Sequence, residues 1–474
     1  MNFEAVIGLE LHVEMKTKSK MFSSAPVTFG NEPNTNVAPF DMAFPGTMPT
    51  VNKQAVINAI RVSHALHMNI DNELWFDRKN YFYSDLPKGY QITQENRPIG
   101  SNGYLEIETQ QGNKKIGIER LHLEEDTCKQ IHYKDRTLLD YNRAGIPLVE
   151  IVSKPEIKTG EEAMKYVEKI RSIVSFLDVS DGKMEEGSLR CDVNVSIMPV
   201  GSKKFGTKVE IKNLNTLANI KRAIDYEIKR QQKILLSGQL VQQETRRFDE
   251  TIRKTVLMRV KTDVIDYKCF TEPNILPIKL SKGFIDNAIN TSPELAEEKY
   301  KRYRSIGLNE YDSNLLISNK DNCEYFDRVV KAGGNAKLAA NWILVDIQAI
   351  LKKKDMSIRE FSIGPEHLAT LLIAIQDGKV SNKQARGIFK KMLEGNQKPE
   401  SLINELGKTL LSDENELKGI VKDVLDENPQ SIEDYKKGKD RAVGYLVAQV
   451  MKKTNGKANP ALTNQLIIKE IKEK

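Results

Sequence analysis

Leu9-Glu10-Leu11-His12-Val13-Glu14 decides how the N-terminal half folds. Side chains alternate across a strand, so Leu9, Leu11 and Val13 share one face and Glu10, His12 and Glu14 the other. An apolar face packed on helices behind a polar face is the pattern of an antiparallel sheet. Three further stretches repeat it. Leu189-Arg190-Cys191-Asp192-Val193-Asn194-Val195-Ser196 sets Leu189, Cys191, Val193 and Val195 against Arg190, Asp192, Asn194 and Ser196. Lys208-Val209-Glu210-Ile211-Lys212-Asn213 sets Val209 and Ile211 against Lys208, Glu210 and Lys212. In Leu121-His122-Leu123-Glu124-Glu125-Asp126 the alternation runs into three consecutive acids. Acids packed this closely repel unless a cation or a proton joins them.

If the four stretches share one sheet, its polar face gathers Glu10, His12, Glu124 or Glu125, Asp192 and Glu210 beside Arg190, Lys208 and Lys212. Carboxylates with an imidazole suit a divalent cation. Mg²⁺ takes oxygen ligands and commonly bridges protein carboxylates to substrate phosphates. Arg and Lys side chains neutralise phosphate oxygens. These residue types fit phosphoryl transfer. On any single strand the same alternation describes a wetted sheet surface, and both readings stay open at this point. Known nucleotide loops are absent: Gly407-Lys408-Thr409 resembles the end of a phosphate-binding loop, but Leu402 stands where that loop needs glycine.

The chain has 474 residues, 39% of them hydrophobic and 29% charged. That composition suits a globular protein of several domains and excludes a disordered one. No apolar run approaches the ~20 residues of a membrane span. Met1-Asn2-Phe3-Glu4-Ala5 lacks the basic start of a signal peptide, so a cytoplasmic location is expected. Cys128, Cys191, Cys269 and Cys323 are widely spaced and suggest neither disulfides nor a zinc site.

Two helical patterns interrupt the strands. Ala163, Tyr166, Val167, Ile170, Ile173, Val174 and Leu177 recur at helical spacing, as do Leu217, Ile220, Ala223, Ile224 and Ile228. After Thr291-Ser292-Pro293-Glu294 the chain reads as helices, with Ser292 as N-cap and Pro293 as first helical residue. A further boundary is expected at Leu411-Ser412-Asp413. The expected architecture is α+β: a sheet domain over 1–292, a helical domain over 293–411 and a small helical tail domain over 412–474. Net charge is +7. From Ser431 to Lys474 ten Lys and Arg face five Asp and Glu. That basic tail fits either a polyanion such as RNA or a solvated helical surface.

The same segments carry a family resemblance. Val6-Ile7-Gly8-Leu9-Glu10-Leu11-His12-Val13-Glu14 resembles the opening signature of the B subunit of the tRNA-dependent amidotransferases. Lys79-Asn80-Tyr81-Phe82-Tyr83, Pro87-Lys88-Gly89-Tyr90-Gln91-Ile92 and Asn142-Arg143-Ala144-Gly145-Ile146-Pro147-Leu148 resemble it too. So do Met184-Glu185-Glu186-Gly187-Ser188-Leu189-Arg190-Cys191-Asp192, Phe205 to Asn215 and Gly456-Lys457-Ala458-Asn459-Pro460. The resemblance spans essentially the whole chain, in order.

It implies a cradle-like catalytic domain, a helical domain and a tRNA-binding tail domain. It also implies a complex with an amidase-type A subunit, which releases ammonia from glutamine, and a small C subunit. With ATP and Mg²⁺, such a chain phosphorylates the side-chain carboxylate of Glu-tRNA(Gln) or Asp-tRNA(Asn), and ammonia then displaces phosphate. On this sequence the implied metal site is Glu10, His12, Glu124, Glu125, Asp192 and Glu210, with Glu10, His12 and Glu125 foremost. Lys79 and Arg190 are candidate catalytic charges; Lys208, Lys212 and Asn194 are candidates for holding the nucleotide. One segment departs from the family pattern DYRYFPEPD: here it reads Asp266-Tyr267-Lys268-Cys269-Phe270-Thr271-Glu272-Pro273-Asn274. Lys lacks the planar fork of Arg, which leaves a catalytically weakened tRNA-binding scaffold as an alternative. A stand-alone ATP-dependent carboxylate–amine ligase is another.

Overall fold

A computed structural model describes residues 2–260, 267–395, 397–409, 414–436, 441–454, 458 and 460–473. It divides into two compact units, residues 1–295 and 296–474.

In chain order, the strands of the first unit are β1 (Phe3–Glu14), β2 (Asn69–Ile70), β3 (Glu73–Leu74), β4 (Asp77–Asn80), β5 (Tyr90–Thr93), β6 (Gly100–Thr109), β7 (Gly112–Glu125) and β8 (Lys129–His132). They continue as β9 (Thr137–Asp140), β10 (Pro147–Ser153), β11 (Leu189–Pro199), β12 (Val209–Lys212), β13 (Glu244–Asp249), β14 (Lys254–Val260), β15 (Phe270–Thr271) and β16 (Ile278–Lys279). Its helices are α1 (Lys53–Ala65), α2 (Gly160–Phe176), α3 (Leu217–Leu236) and α4 (Lys282–Asn290).

A nine-stranded sheet in the order β14-β13-β12-β11-β1-β10-β7-β6-β2 is the frame. The four sequence-identified stretches are all in it, as β1, β7, β11 and β12. The pairing departs from the expected antiparallel sheet once: β12 and β13 run parallel. The 20-residue helix α3 lies between them in the chain and makes that crossover possible. Smaller pieces flank the frame: β15-β4-β5, β16-β3 and the β8–β9 hairpin.

Leu9, Leu11, Val13, Leu121, Leu123, Cys191, Val193 and Ile211 are all buried on the side packed by helices. Each fully buried aliphatic side chain there contributes about 1.5–3 kcal/mol. Both expected helices form. Thr159 caps α2, its hydroxyl accepting from Glu162 N at 3.1 Å, and Ala163, Tyr166, Val167, Ile170 and Val174 are buried. Thr216 caps α3 by accepting from Asn219 N at 3.2 Å, and Ile220, Ala223 and Ile224 are buried. Helices α1 and α4 are not among the two expected patterns, although Phe284, Ile285, Ala288 and Ile289 recur at helical spacing in α4. In α1 the buried face includes the polar Asn58 and Ser63, which interrupts the apolar pattern.

The expected helix start at Ser292-Pro293 is corrected. Ser292 N donates to Ile289 O at 3.0 Å, so Ser292 finishes α4, and the next helix begins at Ala296. The second unit holds α5 (Ala296–Ser305), α6 (Glu310–Ile317), α7 (Lys320–Lys331), α8 (Ala336–Asn341), α9 (Gln348–Lys354), α10 (Pro365–Gln376), α11 (Asn382–Gly395) and α12 (Pro399–Thr409). A π-helical stretch, Trp342–Ile347, joins α8 to α9. Gly407-Lys408-Thr409 belongs to α12, where it forms the end of the helix. Then come α13 (Glu414–Glu427), α14 (Pro429–Lys436), α15 (Arg441–Lys453) and α16 (Pro460–Glu473). These last helices share a core that includes Leu417, Val421, Val424, Leu446, Val450, Ile467 and Ile471. Of the sequence expectations, Leu411-Ser412-Asp413, Gly456, Lys457, Asn459 and Asp266 lie outside the described residues. Among the described residues no helix is long and apolar enough to cross a membrane.

Candidate active site on the polar face of the sheet

Register decides which polar groups meet. His12 on β1 is opposite Glu150 on β10, and Glu150 is opposite His122 on β7. His12 Nε2 lies 3.5 Å from Glu150 Oε2 and 3.9 Å from Glu124 Oε1. His122 Nε2 lies 3.1 Å from Glu150 Oε2 and 3.6 Å from Glu124 Oε2. One ligand atom each from His12, Glu124 and Glu150 fall within 4.8 Å of one another. A cation held at roughly 2.1 Å by each would need them within about 4.2 Å, a small side-chain adjustment. The donor set therefore fits a hard divalent ion.

The electrostatics say the same. Burial pulls the His122 imidazole down, but the Glu150 and Glu124 carboxylates overcome it and push it up to about 9. Burial likewise opposes protonation of His12, and Glu150 and Glu124 raise it nonetheless. Glu150 is held well below the usual carboxylate range in spite of burial, through His122 and His12. Positive charge is wanted between these two carboxylates, and a proton on the His122 imidazole supplies it.

A second group lies along β1, β11 and β12. Glu10 is opposite Asp192, and Asn194 is opposite Glu210. Asn194 Nδ2 donates to Glu10 Oε1 at 3.0 Å. The Lys212 ammonium is bonded to Asp192 and lies 3.2 Å from Glu210. The Thr245 hydroxyl donates to Glu210 Oε2 at 2.8 Å. Glu10 is raised by burial first, then by Glu150 and Asp192.

At the β7 end, Arg190 donates to Asp126 at 2.7 Å, and the Arg143 Nε is 3.6 Å from the same oxygen. Burial and then Asp126 push Glu14 up to about 8. The Arg190 Nε is buried and finds no hydrogen-bond partner among the described residues. A buried donor without a partner is costly, and an anionic ligand would satisfy it.

Glu125 requires a correction. The sequence expectation groups it with His12 and Glu10, but strand alternation sends Glu124 to the polar face and Glu125 to the opposite one. There Glu125 accepts from Ile92 N at 3.0 Å and from Lys88 Nζ at 2.8 Å. The Lys79 ammonium lies 4.9 Å from the centre of the Tyr267 ring. Lys208 is exposed just ahead of β12. The structure adds Glu150 and His122, which sequence reasoning missed. His122 lies in a quoted stretch and has the parity of Glu124; Glu150 is the lone charged residue of an apolar strand.

In the divergent segment, the retained Glu272 is buried and takes the Arg78 guanidinium on both oxygens, at 2.5 and 3.0 Å. Cys269 is exposed. Phe270 and Thr271 pair with β4. Glu272 and the β-pairing thus survive around the substituted positions.

Residues 5–286 match the GatB/GatE catalytic domain family, and residues 324–471 match the GatB domain. The chain belongs to the GatB family. It is 49% identical over 476 residues to the B subunit of the aspartyl/glutamyl-tRNA(Asn/Gln) amidotransferase of Geobacillus thermodenitrificans, covering 100% of both chains. The protein of the same name from Geobacillus kaustophilus is 49% identical over 473 residues, with 99% of each chain covered. That from Bacillus velezensis is 48% identical over 476 residues, with 100% of each covered. Both carboxylate groups fall within the part that matches the GatB/GatE catalytic domain.

Proposed function

We propose that this chain is the B subunit of an aspartyl/glutamyl-tRNA amidotransferase and that the polar face of its sheet activates the amino acid on the tRNA. A carboxylate is unreactive toward ammonia. Attack of the Glu or Asp side-chain carboxylate on the γ-phosphorus of ATP forms an acyl phosphate and releases ADP. Ammonia then attacks the acyl carbon, and phosphate leaves with the C–O bond electrons. The product is Gln-tRNA or Asn-tRNA.

His12, Glu124 and Glu150 would hold one Mg²⁺, with Glu10, Asp192 and Glu210 as a second carboxylate group beside it. When bound, the ion supplies charge neutralisation to the phosphate oxygens. The Arg190 Nε is available to a phosphoryl oxygen, and Asp126 holds that guanidinium in place. Lys212 tethers Asp192 to Glu210, Asn194 fixes the Glu10 carboxylate, and Glu125 organises Lys88 and the backbone at Ile92. Lys79 and Lys208 supply peripheral positive charge. The tail domain binds tRNA, and ammonia comes from an amidase-type A subunit in a complex that includes a small C subunit. We place this assembly in the cytoplasm.

The observation that carries this reading is the convergence of His12, Glu124 and Glu150 from separate strands onto one point in a GatB-family chain. It is tested with ammonium in place of glutamine. The complex of the three subunits should then amidate Glu-tRNA or Asp-tRNA only when ATP is present, releasing ADP and phosphate in step with product. Amidation without ATP would overturn it. The scaffold alternative rests on the divergent 266–274 segment, whose Glu272–Arg78 pairing is intact.

A further inference from the structure

Beside the carboxylates lies a group of aromatic rings that the mechanism does not use. Phe82 is 88% exposed and Tyr83 is 60% exposed. A large apolar ring left in water gains nothing from folding, and two in succession on an ordered turn suggest a ligand. The turn is ordered. Tyr81 N donates to Gly89 O at 3.2 Å, Leu86 N to Tyr83 O at 3.1 Å, and Gly89 N to Leu86 O at 3.0 Å. The Phe82 ring sits over Gly89, where a Cβ would lie 3.0 Å from its Cε1. Behind them Tyr81 packs edge-on to Tyr83 and to Tyr267, at 6.0 and 5.9 Å. The Tyr81 phenol is raised by burial and then by Glu124, Asp85, Glu125 and Asp126, so it lies within the field of those acids.

One cation borders the rings, and two more sit at the tip of the neighbouring hairpin. Lys79 lies over Tyr267. On the other side, the Tyr141 hydroxyl donates to Ser84 O at 3.0 Å and Cys128 N to Asp85 O at 3.0 Å, which fastens the turn to the base of the β8–β9 hairpin. That hairpin exposes Lys134 and Arg136, and the Arg136 guanidinium lies 5.6 Å from the Tyr133 ring centre. Exposed aromatics interleaved with cations match the requirements of unpaired nucleotides: faces for bases and charges for phosphates. An aminoacylated RNA must bring its esterified side chain to the carboxylates. Its terminal base then rests about one amino-acid length away, and this turn reaches the carboxylates through Tyr81, against which Tyr83 packs.

We propose that the Tyr81–Tyr83 turn seats the unpaired 3′-terminal adenine of the aminoacylated RNA, stacked on Phe82 and Tyr83, while Lys134 and Arg136 take the phosphates that precede it. This rests on the function proposed above.

The test uses the complete complex and two RNAs, tRNA with its terminal adenosine and the same tRNA without it. Wild type should bind the first more tightly by about tenfold or more, the scale of one base–aromatic stack. Phe82→Ala with Tyr83→Ala should lose most of that difference, and Phe82→Trp should restore it. A tRNA ending in 2-aminopurine should be quenched by wild type and the Trp variant but not by the double Ala variant. An unchanged dependence on the terminal adenosine in the double Ala variant overturns the proposal. So does loss of a protein subunit from the complex with that dependence intact, which would assign the rings to a subunit contact. Failure of wild type to amidate Glu-tRNA or Asp-tRNA with ATP would instead overturn the function on which it rests.

Discussion

The sheet face and the terminal helices hold charge in opposite ways. At the centre of the sheet Glu124, Glu125, Asp126 and His122 are buried, each with a charged partner. Such groups have already lost their water, so their geometry is fixed before substrate arrives and their fields are strong. On α15 and α16 the cations Arg441, Lys452, Lys453, Lys469 and Lys472 are exposed over an apolar core, Lys453 in a surface pair with Glu427 at 2.6 Å. Solvated charges attract a polyanion from a distance and are screened by salt. One arrangement suits chemistry at a fixed point; the other suits grip on an RNA. Charge count alone does not distinguish them, because burial decides which is which.

The contrast can be broken in graded steps. His12→Ala or Glu150→Gln should lower amidation by roughly a thousandfold, the several kcal/mol that a metal-held charge contributes, while glutamine hydrolysis by the glutaminase partner continues. Measuring both rates on one preparation checks it. Glu125→Gln should act differently. It leaves the Lys88 ammonium buried without its partner, and the loss of stability should be about 3 kcal/mol, read from denaturant unfolding, together with loss of amidation.

Smaller effects are expected on the helices. Lys452→Ala with Lys453→Ala should weaken tRNA binding and flatten its salt dependence by roughly 0.9 in slope for each phosphate contact removed. ATP cleavage with a minimal aminoacylated substrate should be spared. An unchanged salt slope removes α15 from the RNA site. The smallest change is Thr216→Ala, which deletes the cap of α3 and should cost about 1 kcal/mol of stability with the amidation rate unaltered.

Much of this was legible in the sequence because alternation is a strict geometric constraint. It placed Glu10, His12, Asp192, Glu210 and Lys212 on one face, and the sheet order brings their strands together. The same rule already contained the Glu125 correction: Leu121, Leu123 and Glu125 share a parity, and His122 shares one with Glu124. Strand pairing was not legible. The insertion of β10 between β1 and β7 is set by long-range register, and with it came Glu150, whose own strand offers only one charge among Leu148, Val149, Ile151 and Val152. The start of α5 was misplaced because a serine before a proline signals a helix start in sequence, whereas in the fold Ser292 closes the preceding helix.

Activation on this face of the sheet requires a divalent ion held by His12, Glu124 and Glu150. Anomalous diffraction from crystals soaked in Mn²⁺ tests it most directly. The predicted result is a peak bonded to those three side chains, lost in the Glu150→Gln variant. A peak coordinated instead by Glu125, or no peak on this face of the sheet with ATP present, would contradict it.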